Sequence, residues 1–167
     1  GENSARLAGQ LLLLRGDRAG LLKCLKQLGA VNAGTFAGFQ RLLDGDAAQS
    51  VAAFQQTLKE LRRETRSTTN VLTNLGGIFQ IMAQLKTRDV AFYPKIETHI
   101  TKVFRDGTAY VQVYQLLRGV LHFLQNNKKP ALAILSANYA DSFPLVHFFL
   151  YLCQFWVDET LIDREKL

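Results

Sequence analysis

The sequence predicts an all-α fold of antiparallel helical hairpins, with roughly eight or nine helices. Apolar residues return every three or four positions, and no run alternates apolar with polar residues as a strand would. Only 3 prolines occur in 167 residues, so long helices are permitted. Turn signals at Gly16-Asp17, Gly45-Asp46 and Asp106-Gly107 separate the runs. The first two lie 29 residues apart, a spacing typical of repeated helical hairpins.

Four helices are predicted in the first part of the chain, each ended by a glycine or a polar break. They are Ala5–Arg15, a second from the Asp17 cap to about Leu28, a third from the Asn32 cap to Leu43, and a fourth from Asp46 to about Arg66. The fourth has the clearest apolar stripe, which consists of Ala47, Val51, Phe54, Leu58, Leu61 and Thr65. Small residues in the third, Ala33, Gly34, Ala37 and Gly38, predict the close approach of a neighbouring helix.

Further helices follow from the same periodicity and turn signals. They are about Val71–Leu85, one from Asp89 to the Asp106-Gly107 turn with an early interruption at Pro94, one from the Thr108 cap to Gln125, a short one from Pro130 to about Asn138, and the apolar window Phe143–Val157. This length predicts one helical domain, residues 1–167. Because the chain opens with Gly rather than Met, we expect it to be excised from a larger protein.

Positive charge is concentrated in the first three quarters of the chain. The formal net charge is +6 and the pI is near 9.5. Residues 1–66 hold ten Lys/Arg against six Asp/Glu, residues 67–130 eight against three, and residues 131–167 two against five, which gives +4, +5 and −3. An anionic partner such as nucleic acid is therefore an alternative to a protein partner, although domains that bind no nucleic acid also carry such an excess.

No motif for catalysis or metal binding accompanies the titratable residues. His99, His122 and His147 are far apart in the sequence and lack an HExxH-type partner. Cys24 and Cys153 form no CxxC pair, which indicates a reducing, cytoplasmic compartment. Each lies in a leucine- or aromatic-rich helix, so we expect inert core thiols. We therefore expect no enzyme activity in this segment, no catalytic residue, no metal and no cofactor.

One candidate binding surface is a stripe on the seventh predicted helix. Tyr110, Tyr114, Arg118 and His122 follow one another at steps of four, so they share one side of that helix. Tyrosine and arginine are frequent at protein interfaces, which makes the stripe a candidate partner-binding surface. The alternative is that the tyrosines pack between helices with their hydroxyl groups at the edge.

A second candidate is the basic cluster at the end of the fourth predicted helix, Lys59, Arg62, Arg63 and Arg66. Cations at these spacings gather on one flank and could bind an acidic partner or a phosphate backbone. The alternative is structural, because cations near a helix C-terminus also stabilise the helix.

The window Phe143–Val157 is the most apolar stretch of the chain. Its fifteen residues are fewer than the about twenty that span a bilayer, so membrane contact is the least favoured interpretation. A buried core helix is the first prediction. The alternative is an exposed apolar face, covered by the next domain of a parent protein or by a second copy in a homo-oligomer.

The fourth predicted helix resembles the second helix of a tetratricopeptide repeat. Counted from Gly45, the small position falls at Ser50, the aromatic position at Phe54 and the next small position at Thr57, and Gly38 stands where the first helix of the repeat carries glycine. Two alanine positions are Ser and Thr, and the Trp, Tyr and closing Pro of the repeat are missing. The resemblance covers about thirty residues and implies a short tetratricopeptide-like α-solenoid.

A second resemblance is to the helical accessory region of some large bacterial Swi/Snf-type helicase-like ATPases. It rests on the succession LLDGDAAQSVAAFQQTLKELRRETRS, NVLTNLGGIFQIMAQL and the charged turn KTRD. Those proteins carry their nucleotide site elsewhere in the polypeptide, and this sequence contains none of the ATPase motifs. The resemblance covers about fifty residues and implies an accessory piece of an ATP-dependent parent.

These observations predict a non-catalytic helical scaffold that binds protein or docks an adjacent domain. A nucleic-acid-binding accessory domain is the alternative, based on the +9 charge of residues 1–130, the sum of +4 and +5.

Overall fold

The computed structural model describes residues 2–65 and 75–161. These residues form α-helices and two short 3-10 turns, with no β-strand among them. The all-α prediction is therefore confirmed for the described ranges. The chain divides into two compact units, Gly1–Val71 and Leu72–Leu167. The prediction of a single domain over residues 1–167 stays a prediction.

The described part of the first unit contains α1 (Glu2–Arg15), α2 (Arg18–Leu25), α3 (Ala30–Leu43) and α4 (Ala47–Thr65). Gly45 turns the chain between α3 and α4 with a φ of 81°, a left-handed conformation that glycine adopts without strain. Asp17 caps α2 as predicted, because its Oδ1 accepts a hydrogen bond from the backbone N–H of Gly20 at 2.8 Å. Asp46 accepts in the same way from the N–H of Gln49 at 3.0 Å.

Two predicted boundaries in this unit are wrong. α2 ends at Leu25 and does not continue to Leu28. The N-cap of α3 is Gly29, whose carbonyl accepts from the N–H of Ala33 at 3.0 Å. Asn32 therefore lies inside the first turn of α3 and is not its cap. The polar side chain of Asn32 predicted a helix start there, but the helical hydrogen bonds begin at the carbonyl of Gly29.

α3 packs against α4 at two glycines. A Cβ atom at Gly38 would lie 2.7 Å from Cζ of Phe54, closer than carbon atoms approach. Beside this contact, Oγ of Ser50 donates to the carbonyl of Gly38 at 2.7 Å. A Cβ atom at Gly34 would overlap the side chain of Thr57. The close approach predicted from the small residues of the third helix is confirmed at these positions.

The buried face of α4 is rotated relative to the predicted apolar stripe. Val51 and Phe54 are buried as predicted, whereas Leu58 is only half-buried. Ser50 and Thr57 are buried in the contact with α3 instead. Small hydroxyl side chains fit there because their oxygens bond to helix carbonyls, and Thr57 donates to the carbonyl of Ala53 at 2.9 Å.

The described part of the second unit contains α5 (Leu75–Thr87), a 3-10 turn (Val90–Phe92), α6 (Tyr93–Asp106), α7 (Val111–Leu124), α8 (Lys128–Leu135), α9 (Pro144–Val157) and a 3-10 turn (Glu159–Leu161). α7 is the central helix, because it contacts α5, α6, α8 and α9. Its residues Leu116, Leu117 and Val120 are fully buried. This unit therefore folds around α7.

Several predicted boundaries in the second unit also differ from the structure. Pro94 does not interrupt a helix that starts at Asp89: a 3-10 turn capped by Asp89 comes first, and Pro94 lies in the first turn of α6, where no intrahelical N–H is needed. Thr108 is not the cap of α7, because its Oγ1 accepts from the N–H of Tyr110, the residue just before that helix, at 3.2 Å. The predicted helix start at Val71 lies outside the described residues.

Replacing Gly38 with alanine should lower the free energy of unfolding by about 1 kcal/mol, although alanine is the better helix former. The helix preference favours alanine by about 1 kcal/mol, but overpacking a core costs about 1–3 kcal/mol. Here the added Cβ would overlap the buried ring of Phe54. Chemical unfolding measures the sign of the change.

Ala52→Gly on the exposed side of α4 is the matched control, because it changes helix preference alone. In a Phe54→Leu background, the effect of Gly38→Ala should become smaller, since the smaller side chain leaves room for the methyl group. A Gly38→Ala variant that is more stable than the unsubstituted chain would contradict the close contact between Gly38 and Phe54.

Candidate functional site

The four residues predicted as a stripe on α7 do not form one exposed surface. Tyr114 is 0% exposed, and its ring centroid lies 5.9 Å from that of His99 on α6. Tyr110 precedes α7 as its N-cap residue and is half-buried, as are Arg118 and His122. The prediction of a surface stripe is therefore wrong for Tyr114, because α6 packs over that side of α7. Partner contact through the other three stays a prediction.

Burial also sets the chemistry of Tyr114. Loss of hydration raises the pKa of its phenol well above the usual range. The group therefore stays neutral at physiological pH, and Tyr114 acts as a packing residue of the core.

Arg118 is held by side chains of α6. Its Nη2 donates to Oε1 of Glu97 at 2.5 Å, and its guanidinium carbon lies 5.9 Å from the ring centroid of Phe104. About one third of each charged side chain is exposed, so water screens part of the attraction. Nε of Arg118 and Nδ1 of His122 are buried without a hydrogen-bond partner among the described residues. An acidic partner would have to compete with Glu97 for this arginine.

The basic cluster on α4 is exposed where it is described. Lys59, Arg62 and Arg63 all lie in the last two turns with exposed side chains, and Arg66 lies outside the described residues. Nη1 of Arg63 is 3.6 Å from Oε1 of Glu60, an ion pair within the same helix. These three cations are accessible to an anionic partner.

The most unusual surface is on α9, which is apolar over most of its circumference but buried on one side only. Val146, Phe149, Leu150 and Cys153 are buried. The opposite side, called here the apolar face of α9, consists of Pro144, Leu145, Phe148, Tyr151, Leu152 and Phe155. At about 100° per residue these six lie within a sector of about 120°. Phe148 is 61% exposed and Phe155 63% exposed.

Contacts on the buried side fix the rotation of α9. The rings of Phe149 and Phe79 on α5 lie 6.3 Å apart between centroids. Nε2 of Gln154 donates to the carbonyl of Leu135, at the end of α8, at 2.8 Å. Because these contacts come from one side, Phe148 and Phe155 remain in water. The buried-helix prediction therefore describes one face of α9, and the exposed-face alternative describes the other.

The apolar face of α9 has no ionic group. Residues 144–157, PLVHFFLYLCQFWV, contain no Asp, Glu, Lys or Arg. The sequence identified this window, but periodicity could not show which residues face water, because apolar side chains occur on every side of the helix. In the described ranges, no helix is both long and apolar enough to cross a membrane.

A cleft of about 520 Å³ lies beside the connection from α8 to α9. α8 ends at Leu135, before the predicted end at Asn138, and the residues that follow form one wall. α9 supplies the other wall, including His147 and Gln154. The described lining residues contain one imidazole and no carboxylate. Burial raises the pKa of Tyr139 in this cleft, and its hydroxyl donates to a backbone carbonyl of α8 at 2.9 Å.

The cysteines lie in the core. Both are free thiols, and Sγ of Cys24 donates to the carbonyl of Ala5 at 3.0 Å. Burial raises the pKa of Cys153 to about 12, so its thiol stays protonated and unreactive at neutral pH. Within the described residues, no group of three or more His, Cys, Asp and Glu side chains could hold a metal ion.

Two adjacent phenylalanines test the exposure of α9. Phe149 is 2% exposed and Phe148 61% exposed, so Phe149→Ala should lower the free energy of unfolding by about 3–5 kcal/mol and Phe148→Ala by less than about 1 kcal/mol. Chemical unfolding of the two variants measures the difference. Equal losses would show that both side chains are buried and that the apolar face of α9 does not exist in solution.

No protein-family model, curated protein or solved structure matches the chain. The resemblances to tetratricopeptide repeats and to the helicase-like accessory region therefore stay predictions.

Proposed function

We propose that this chain is a non-catalytic helical scaffold that binds a protein partner or an adjacent domain of a larger protein. Its hairpins stack as a short tetratricopeptide-like α-solenoid, and the larger protein is a cytoplasmic helicase-like ATPase. The observation that carries the proposal is the exposed apolar face of α9. The buried, free thiols of both cysteines support a reducing compartment.

The apolar face of α9 exposes enough surface to drive association. A phenylalanine side chain offers about 200 Å² to water, so Phe148 and Phe155, each exposed over more than half, leave roughly 120 Å² each. At about 25 cal/mol per Å², covering both side chains contributes roughly 6 kcal/mol. The loss of translational and side-chain freedom opposes this gain. Apolar surface that the partner buries in the same contact adds to the gain, so we expect a reversible complex.

The clustering of these side chains separates α9 from ordinary exposed apolar residues. Leu22, Leu43 and Val90 are also exposed, but each is a single residue on its own element, and single exposed apolar residues are normal on protein surfaces. On α9, six neighbouring positions form one uncharged face. Such a face on a rigid helix is typical of a docking surface for an apolar partner.

A nucleic-acid-binding accessory domain is the second candidate function. It is favoured by the exposed cations Lys59, Arg62 and Arg63 at the end of α4, together with the +9 charge of residues 1–130. Binding of this kind would use the first unit. It would leave the apolar face of α9 without a role.

Photo-crosslinking tests the scaffold function. A benzophenone amino acid in place of Phe148, in the full chain inside cells, should form discrete covalent adducts, because a bound partner covers that position. The same substitution at Val90, which is 70% exposed in the same unit, is the matched control and should form few adducts. Gel mobility and mass spectrometry detect the products. Equal adduct patterns at both positions would contradict a docking role for α9.

Salt-dependent binding tests the alternative. Replacing Lys59, Arg62 and Arg63 with glutamine should weaken binding to an oligonucleotide and reduce the slope of log K against log salt by about 2–3, since up to three phosphate contacts are lost. Fluorescence polarisation between about 50 and 200 mM salt measures both quantities. The exposed Lys128 and Lys129, replaced together, are the matched control. Absence of binding at low salt would reject this function.

A further inference from the structure

We infer that the partner of the apolar face of α9 is the same face on a second copy of this chain, packed antiparallel across a two-fold axis. This inference rests on the proposed function, because it names the partner of that surface. Three properties of the face carry it: the spacing of its aromatic residues, its area and its lack of charge.

The spacing of the two exposed phenylalanines makes the face self-complementary. Phe148 and Phe155 are seven residues apart, so they lie on nearly the same side of α9 and about 10 Å apart along its axis. With a two-fold axis passing beside Tyr151 and Leu152, Phe148 of one copy lies opposite Phe155 of the other. The symmetry repeats this contact, so both exposed rings of both copies are covered.

The area of the face corresponds to a small dimer interface. Phe148, Phe155 and Leu145 expose roughly 300 Å² per copy. Two copies would therefore bury roughly 600 Å² of apolar surface. Apolar atoms make up about 65% of homodimer interfaces, so the whole contact would reach about 900 Å². That value is below the range of stable interfaces, so we expect a weak and reversible dimer.

The charge distribution gives this dimer a distinctive salt dependence. The face itself contains no ionic group, so pairing two copies brings no like charges together within it. Each chain carries a net charge of +6, which repels the second copy at long range. Added salt screens this repulsion and should tighten the dimer, whereas salt weakens binding to nucleic acid.

Analytical ultracentrifugation of the full chain tests the inference. The unsubstituted chain should change from monomer to dimer between about 1 and 100 μM, and its dissociation constant should fall as the salt concentration increases. Phe148→Glu should raise the dissociation constant at least about tenfold, because it places a charge against the apolar ring of Phe155 of the second copy. Val90→Glu, at an exposed site on the same unit, should leave it unchanged. An unsubstituted chain that stays monomeric up to about 100 μM would overturn the inference.

Disulfide trapping tests the antiparallel register. A mixture of the Phe148→Cys and Phe155→Cys variants should form a cross-linked dimer much faster than either variant alone, because only the mixed pair brings the two sulfur atoms together. The native Cys24 and Cys153 are buried and should not react. Faster cross-linking of either variant with itself would overturn this arrangement.

The outcomes separate this inference from the proposed function. A monomeric protein that still forms adducts at position 148 would reject the second copy and keep the scaffold function with an unlike partner. A monomeric protein without such adducts would reject both. Flotation of the monomer with phospholipid vesicles, abolished by Phe148→Glu, would show a membrane surface as the occupant and would also overturn the inference.

Discussion

Close contacts between paired helices occur at a glycine in both units. In the first unit, Gly38 of α3 meets the ring of Phe54 on α4. In the second, a Cβ atom at Gly119 of α7 would lie 3.1 Å from Cγ2 of Ile134 on α8. A methyl group at the first position would displace the ring of Phe54, and at the second it would require the neighbouring side chains of α8 to shift by a few tenths of an ångström. The burial of apolar faces, which supplies most of the folding free energy, depends on this approach.

α9 stabilises its unit with one side and exposes apolar side chains on the other. Phe149 contacts Phe79 in the core, while Phe148, one residue earlier, is largely in water. The two positions differ by about 100° around the helix axis, so adjacent side chains lie in different surroundings. Substitutions of the exposed side chains of this face should therefore have little effect on stability.

The stripe on α7 illustrates the limit of reasoning from spacing. Steps of four correctly place residues on one side of a helix, but spacing does not say whether that side meets solvent or a neighbour. α7 has neighbours in several directions, and His99 of α6 lies against Tyr114. Arg118 is likewise paired with Glu97, which lies 21 residues earlier in the chain. No local signal could have identified that partner, because the contact exists only once α6 and α7 pack.

Local sequence signals were sufficient to predict the helical state, the turns at Gly45 and Gly107, the close approach at Gly34 and Gly38, and the burial of both cysteines. These properties depend on periodicity, backbone freedom and side-chain size, all of which are local. Which side of each helix is buried depends on how the helices pack, and this could not be predicted from spacing. The tertiary structure buried Ser50 and Thr57 in α4, placed Tyr114 in the core and left Phe148 in water. For a helix that is apolar over most of its circumference, only the position of its neighbours distinguishes a core residue from an exposed one.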